Sequence, residues 1–182
     1  ITQSQCSVCA VSLAVVEKCL IKFINRKPLL IDLKPNTFEE VLEDINLVGK
    51  KLNKKLESYS LVKKIKNEIN KIKKKTSKLK KKNVLCIEWI EPIMTAGNWV
   101  PQLVKFAGGK SVLAKSGRNS IFIDSKHINF KEVDIVIFMP CGFDIKRSKE
   151  EILKANIDYS SNLKEKKTYV VDGNKYFNRP GP

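Results

Sequence analysis

The sequence has 182 residues, of which 42% are hydrophobic and 8% aromatic, so a packed core is expected and a disordered chain is excluded. Its formal net charge is +16, with 35 Lys and Arg residues against 19 Asp and Glu residues. A membrane-spanning helix needs ~20 consecutive apolar residues, and the longest apolar clusters, near residues 11–16 and 135–139, fall well short of that length.

Five cysteines are scattered along the chain, and this odd number argues against a small disulfide-stabilised scaffold. Cys6 and Cys9 form a C-x-x-C motif, which occurs in zinc sites and in redox pairs. The sequence has no second motif of this kind and a single histidine, His127, so a zinc site would have to recruit distant cysteines. We therefore expect reduced thiols, with Cys6 and Cys9 as weak candidates for metal ligands.

The first part of the chain has the pattern of an incomplete α/β unit. Residues 1–3 suit the end of a strand, residues 11–23 a short helix, and residues 29–33 a second strand. Thr37 and Glu40 have the spacing of a capping box, in which each side chain bonds the backbone of the other residue. A helix is predicted to begin there.

Residues 50–82 hold most of the charge. They contain fifteen lysines against Glu57 and Glu68, which gives +13 of the formal +16. Apolar side chains recur within this stretch at helical spacing, namely Leu61, Ile65, Ile69 and Ile72. The pattern predicts a long amphipathic helix, with a break or bend near residues 58–60.

Two functions stay open for this helix. It is either a basic arm that binds nucleic acid or another anionic surface, or a solvated strut between two domains. The stretch has no arginine, and its one aromatic residue is Tyr59. Both observations argue against sequence-specific or single-strand recognition of nucleic acid.

Strands and helices alternate in the second half, which predicts a parallel α/β sheet. Strands are predicted near residues 83–89, 121–124, 134–139 and 168–171. One helix is expected after Asn98 as its cap, and another after a second capping box formed by Ser148 and Glu151. Ligands of such sheets bind beyond the carboxyl ends of the strands, which here lie near residues 89–92, 140–143 and 174–177.

Four segments resemble segments of one protein family, and they occur along the chain in the same order as in that family. They are CSVCAVS at 6–12, EWIEPIMTAGNWVPQLVKFAGG at 88–109, MPCGFD at 139–144 and VDGNKYFNRPGP at 171–182. The chain thereby resembles the cobalamin- and iron-siderophore-binding members of the periplasmic-binding-protein superfamily, the class III solute-binding components of ABC importers. Relatives have about a lobe's worth of sequence before the position of Ile1, so the chain looks like an N-terminally truncated member.

The resemblance implies an α/β fold of two Rossmann-like lobes joined by a single long helix, with the first lobe only partly present. Residues 1–36 would be the C-terminal part of lobe one, and residues 37–82 a helical connector that includes the lysine-rich helix. Residues 83–182 would form lobe two.

The resemblance also implies a set of ligand-binding residues in lobe two, namely Glu91, Asn98, Trp99, Cys141, Phe143, Tyr176, Phe177 and Arg179. Many relatives have His at the position of Asn98, so a cobalt ligand of that type is lost here. For Trp99, contact with the ligand and burial against a neighbouring loop both stay open. Cys141 suits a small buried residue in a tight turn, and Arg179 suits a residue that fixes the exit of the chain as well as one that binds ligand.

The function implied is the binding of cobalamin, another corrinoid or a related metal chelate, and its delivery to the membrane subunits of an ABC transporter. The resemblance implies a periplasmic or other extracytoplasmic location, while a cytoplasmic carrier with the same motifs stays open. We expect no specific nucleic-acid partner and no enzyme activity or catalytic cofactor. The sequence contains none of the G-x-S-x-G, Walker or Rossmann glycine motifs, and His127 has no evident catalytic partner.

Overall fold

The computed structural model describes residues 1–3, 11–23, 29–155 and 159–177. Strands form at β1 Thr2–Gln3, β2 Asp32–Leu33, β3 Asn83–Trp89, β4 Met94–Thr95, β5 Lys110–Ser111, β6 Ile121–Phe122, β7 Ile135–Phe138 and β8 Lys167–Val170. Helices form at α1 Leu13–Phe23, α2 Phe38–Lys51, α3 Lys55–Thr76, α4 Val100–Phe106, α5 Ile145–Lys154, α6 Tyr159–Leu163 and α7 Gly173–Tyr176. Short 3-10 turns cover Ser125–His127 and Phe130–Glu132.

The larger sheet has the strand order β6-β4-β3-β7-β8, and β5 pairs with the start of β3. The pairs β3 with β5, β3 with β7, and β7 with β8 are parallel, whereas β4 and β6 are antiparallel to their neighbours. The predicted α/β class is therefore confirmed, but the sheet is mixed. The short return between β3 and β4 permits only antiparallel pairing, because parallel neighbours need a crossover of about a dozen residues or more.

Alternating residues of β3 build two separate cores. Val84 and Cys86 belong to a buried cluster on the face covered by α2, α3 and α4. Leu85 and Ile87 belong to a second buried cluster, on the face covered by α5, α6 and the 3-10 turns. Successive side chains of a strand point to opposite faces of its sheet, so this one strand supports a three-layer arrangement.

The predicted capping box at the start of α2 is confirmed. Glu40 N–H donates to Thr37 Oγ1 at 3.2 Å, and Thr37 N–H donates to Glu40 Oε2 at 3.0 Å. The predicted break near residues 58–60 is wrong, since α2 ends earlier, at Lys51. Asn53 takes the left-handed conformation with φ 56°, which Asn tolerates better than most residues, and α3 then runs without interruption through 58–60.

Helix α3 buries one narrow face. Ser58 and Val62 are buried, and Ile65 and Ile69 pack against the core beneath α2 and α4. Thr76 Oγ1 donates to the carbonyl of Phe106 at 3.2 Å and so fixes the end of α3 to α4. The predicted apolar stripe is correct for Ile65 and Ile69, but Leu61 and Ile72 are exposed, because they lie on the border of that face.

The first strands form a separate small pair. Strands β1 and β2 are parallel, with Thr2 opposite Asp32 and Gln3 opposite Leu33, and α1 lies between them in the chain. Thr2 N–H also donates to the carbonyl of Ile31 at 2.8 Å. None of the helices within the described ranges is long and apolar enough to cross a membrane.

The capping box provides a test of the fold. Thr37→Ala removes the acceptor for Glu40 N–H at the start of α2. We expect the free energy of unfolding, measured by urea denaturation, to fall by about 1 kcal/mol. Ser60→Ala is the control, because it deletes a hydroxyl at an exposed position within α3 and should leave stability unchanged or slightly higher. A similar loss in both variants would contradict the assignment.

Candidate functional site

The carboxyl ends of β3, β7 and β8 lie side by side at one edge of the larger sheet. We call the three segments that leave these strands, residues 88–93, 139–144 and 171–177, the carboxyl edge. Backbone hydrogen bonds continue the strand pairing into it. Met139 N–H donates to the carbonyl of Ile87 at 2.9 Å, and Val171 N–H donates to the carbonyl of Phe138 at 2.9 Å. The edge is thus an extension of the sheet.

Two further hydrogen bonds fasten the three segments to one another. Cys141 N–H donates to the carbonyl of Glu88 at 3.2 Å. Gly142 N–H donates to Asn174 Oδ1 at 2.9 Å. Gly142 has φ 82°, a left-handed conformation that glycine adopts without strain. The turn that carries Cys141 is therefore held from both sides.

Two helices begin at this edge, each capped by an aspartate. Asp144 accepts from Arg147 N–H at 2.8 Å at the start of α5, and Asp172 accepts from Lys175 N–H at 2.9 Å at the start of α7. The predicted capping box of Ser148 and Glu151 is wrong. Ser148 lies inside α5, and its hydroxyl donates to the carbonyl of Asp144 at 2.6 Å, so the helix begins a turn earlier than predicted.

Aromatic side chains meet at the edge. The rings of Trp89 and Phe143 have their centroids 5.2 Å apart with an interplanar angle of 48°. Arg147 Cζ lies over the Phe143 ring, 4.1 Å from its centroid. Trp89 Nε1 donates to the carbonyl of Glu91 at 3.1 Å, which fixes the indole. Phe143 is buried by these contacts. Arg147 was not among the site residues predicted from the sequence.

Other predicted residues of the edge reach solvent. Tyr176 is 56% exposed, with Lys175 Nζ 5.2 Å from its ring centroid. Glu91 is exposed and Cys141 is half-buried. The structure therefore brings Glu91, Cys141, Phe143 and Tyr176 to one edge of the sheet. Their role in ligand binding stays a prediction.

Asn98 and Trp99 lie at the start of α4, outside the three segments of the carboxyl edge. Asn98 has φ 52°, and its backbone bonds Arg118 O at 2.6 Å and Gly117 N–H at 3.0 Å. The prediction that Asn98 caps the helix is wrong, because Trp99 occupies the N-cap without a side-chain bond. Trp99 is 5% exposed and belongs to the core cluster under α2. Asn98 Oδ1 and Trp99 Nε1 are buried without a hydrogen-bond partner among the described residues.

The remaining predicted residues divide into two groups. Phe177 is half-buried and packs against the same core cluster as Trp99. Arg179, Cys6 and Cys9 lie outside the described residues. In the parts of the chain that the structure describes, no three His, Cys, Asp or Glu side chains are arranged to hold a metal ion. Burial raises the pKa of the Cys86 thiol to about 12, so this cysteine is protonated at neutral pH.

A partly buried carboxyl at the edge, that of Glu88, was not among the predicted site residues. Glu88 Oε2 accepts from Ser120 Oγ at 2.6 Å, and Ser120 Oγ accepts from Gly97 N–H at 3.0 Å. Burial raises the pKa of Glu88, and the weaker effect of the Ser120 hydrogen bond opposes this shift. These two hydrogen bonds connect Glu88 of β3 with Ser120, which precedes β6, and Ser120 with Gly97, which precedes Asn98. The sequence signal that could have indicated this site is the acidic residue Glu88 directly after the apolar residues 84–87 of the strand.

Residues 22–161 match the model of a family described as "Periplasmic binding protein", which is more than half of the chain. A comparison with curated proteins finds no match. Several solved structures share the fold.

An ABC transporter substrate-binding protein from Listeria monocytogenes EGD-e is 20% identical, with a TM-score of 0.67 over 90% of this chain and 66% of that one. S. aureus IsdE complexed with heme is 20% identical, with a TM-score of 0.65 over 91% and 66%. The periplasmic vitamin B12 binding protein BtuF of Vibrio cholerae is 12% identical, with a TM-score of 0.62 over 91% and 64%. At these identities the likeness shows the fold, and the chain spans about two thirds of the length of the proteins it matches.

The partly buried carboxyl of Glu88 provides a test by pH. The folded chain holds the Glu88 proton at pH values at which the unfolded chain, with the usual pKa of 4.5, has released it. Its contribution to stability is therefore complete below that value and is lost as the pH rises through the raised folded-state pKa. Glu88→Gln keeps an acceptor for Ser120 but does not titrate. We expect the stability of the native chain relative to this variant to fall as the pH rises above about 4.5.

Urea denaturation at several pH values measures this difference. Glu150→Gln is the control, because Glu150 is exposed on α5 and its removal should leave the pH profile parallel to that of the native chain. A constant difference between the native chain and Glu88→Gln across the range would show that Glu88 does not titrate as its burial requires.

Proposed function

Because the chain belongs to the periplasmic binding protein family, we propose that it is a solute-binding protein that holds its ligand at the carboxyl edge and delivers it to an ABC importer. The observation that carries the proposal is the convergence of three strand ends on one edge. Cys141 N–H donates to the carbonyl of Glu88, and Gly142 N–H donates to Asn174 Oδ1, so these bonds hold the segments together. A preformed edge of this kind lets a ligand bind without reordering the loops.

The proposed ligand is a corrinoid such as cobalamin, or a related metal chelate such as haem. A large macrocycle needs broad apolar and aromatic contact with a few polar groups that orient it. Trp89 and Tyr176 supply aromatic surface at the edge, buried Phe143 packs against Trp89, and Glu91 and Arg147 supply charge. Relatives of similar fold include one solved with heme and one described as a vitamin B12 binding protein.

The proposed roles differ along the edge. Tyr176 and Glu91 would contact the ligand directly because they are exposed, whereas Phe143 would support Trp89 from below. Asn98, Trp99, Cys141, Phe177 and Arg179 remain proposed contacts from the family resemblance alone. Binding and release need no chemical step, so we propose no catalytic residue, no catalytic cofactor and no enzyme activity.

The proposed division of the chain follows the same family pattern, with residues 1–36 in lobe one, 37–82 as connector and 83–182 in lobe two. Phe38 and Val62 share a buried cluster with Val84 of β3. This shared core would make the connector move with lobe two as one body, so closure of the lobes should be small. An extracytoplasmic location and contact with transporter membrane subunits are part of the proposal.

A ligand titration tests the proposed function directly. The full-length protein is titrated with cobalamin, cobinamide and haem, and binding is followed by ligand absorbance and tryptophan fluorescence. We expect saturable binding of at least one of them, with quenching of Trp89, since its indole lies at the edge. Failure of all three to bind, together with tight, salt-sensitive binding of DNA, would instead favour nucleic-acid binding by the lysine-rich helix.

Two tyrosines offer a matched pair of variants. Tyr176 on the edge and Tyr169 on β8 are 56% and 52% exposed, respectively. Tyr176→Ala should weaken binding of the ligand found in the titration by about 1–3 kcal/mol, or roughly 5- to 150-fold, if the ring stacks on the macrocycle. Tyr169→Ala should leave the affinity unchanged. Equal affinities for the two variants would place the ligand away from Tyr176.

A further inference from the structure

The lysines of α3 include a stripe that faces away from the core. Val62, Ile65 and Ile69 lie on the buried side of the helix. Lys63, Lys64, Lys71 and Lys74 are exposed and occur at spacings that place them on the opposite side. We call these four residues the outward lysine stripe. Ser60, Asn67 and Asn70 lie between them on the same surface.

Few acidic groups balance this stripe. Glu57 and Glu68 are the two acidic residues of α3. The carboxylate of Glu57 lies 3.0 Å from Lys54 Nζ, and that of Glu68 lies 2.7 Å from Lys71 Nζ. The hydrogen bond and charge of Lys71, with smaller effects of Lys64 and Lys75, lower the pKa of Glu68. Lys71 also has Lys74 and Lys75 three and four residues further along, and like charges at this spacing oppose helix formation. The stripe therefore has an excess of positive charge that folding alone does not require.

An exposed apolar residue and a tyrosine begin the same surface. Leu56 is 81% exposed and precedes Lys63 by seven residues, so both side chains lie on one side of α3. Tyr59, half exposed, lies four residues before Lys63, with Lys55 Nζ 5.7 Å from its ring centroid. Exposed leucine and tyrosine beside lysines are typical of helices that lie on a bilayer surface.

We propose that the outward lysine stripe docks on the anionic headgroups of a phospholipid bilayer, with Leu56 and Tyr59 at the interface. The inference rests on the proposed function, because a protein that serves an importer works at a membrane surface. A straight helix of 22 residues, about 33 Å long, presents its lysines along a line that suits a flat surface. Lysine is a compact charge that binds phosphate without fixed geometry. Helix α3 has no arginine, and Tyr59 is its one aromatic residue, so it lacks the row of aromatic side chains on which successive bases stack.

Vesicle co-sedimentation of the full-length protein tests the docking surface. Vesicles of phosphatidylcholine alone are compared with vesicles of equal parts phosphatidylcholine and phosphatidylglycerol, at low and physiological salt. The protein should bind the anionic vesicles, bind less as salt increases, and leave phosphatidylcholine vesicles unbound. The stripe variant Lys63→Gln, Lys64→Gln, Lys71→Gln and Lys74→Gln should lose about tenfold or more in partition coefficient.

A control variant removes the same charge elsewhere. Lys126, Lys131, Lys164 and Lys167 are exposed and lie outside α3. Their replacement by Gln should lower vesicle binding by less than about threefold. Circular dichroism melting verifies that both variants fold. Equal losses in the two variants would overturn the proposal, because vesicle binding would then depend on the net charge of +16 and not on the outward lysine stripe.

Leu56→Ser separates a bilayer from nucleic acid. It should weaken binding to anionic vesicles and leave binding to duplex DNA unchanged, because only the bilayer has an apolar layer beneath its phosphates. Duplex DNA that displaces the protein from vesicles at equal phosphate concentration would overturn the proposal in favour of nucleic acid. Ligand titration of the stripe variant is independent. Failure of the native protein to bind anionic vesicles, while it still binds a ligand, would reject the proposed docking surface. Vesicle binding by a protein that binds none of the ligands would reject the proposed ligand function.

Discussion

The pairing of β3 with β7 is the constraint on which the rest of the structure depends. These two parallel strands form the centre of the larger sheet, and their buried side chains alternate between its faces. The helical layer of α2, α3 and α4 can cover one face, and the layer of α5 and α6 the other, because both faces are apolar. The register of this pair also sets where β3 and β7 end, and so fixes the carboxyl edge.

The carboxyl edge gains its rigidity from the backbone. Cys141 N–H donates to the carbonyl of Glu88 in the segment after β3. Gly142 N–H donates to Asn174 Oδ1 in the segment after β8. Side chains can therefore differ in exposure, from buried Phe143 to exposed Tyr176, without loosening the loops. The partly buried carboxyl of Glu88 depends on a side-chain contact instead. It accepts a hydrogen bond from Ser120 Oγ, while burial raises its pKa.

Charge and stability are separated along α3. Its narrow apolar face contributes Val62, Ile65 and Ile69 to the core, and its opposite face carries lysines in water. The net charge of the chain therefore says little about how the fold is held together. It describes an exposed surface whose lysines repel one another unless a counter-charge is present.

The sequence by itself determined the local elements that depend on neighbours in the chain. The capping box of Thr37, the apolar strand that begins at Asn83 and the α/β class follow from residue type and spacing, and the structure agrees. The sequence did not decide between competing local signals. Ser148 and Glu151 have the spacing of a capping box, yet α5 begins after Asp144, whose side chain accepts from Arg147 N–H.

Tertiary structure alone decided which side chains share a site. Trp99 and Tyr176 are both aromatic residues in loop-and-helix segments, yet one is buried under α2 and the other is exposed at the edge. The contacts of Phe143 with Arg147, and of Glu88 with Ser120, join residues whose pairing depends on how the helices and loops pack on the sheet. Burial of this kind depends on what covers a residue, and the covering elements come from distant parts of the chain.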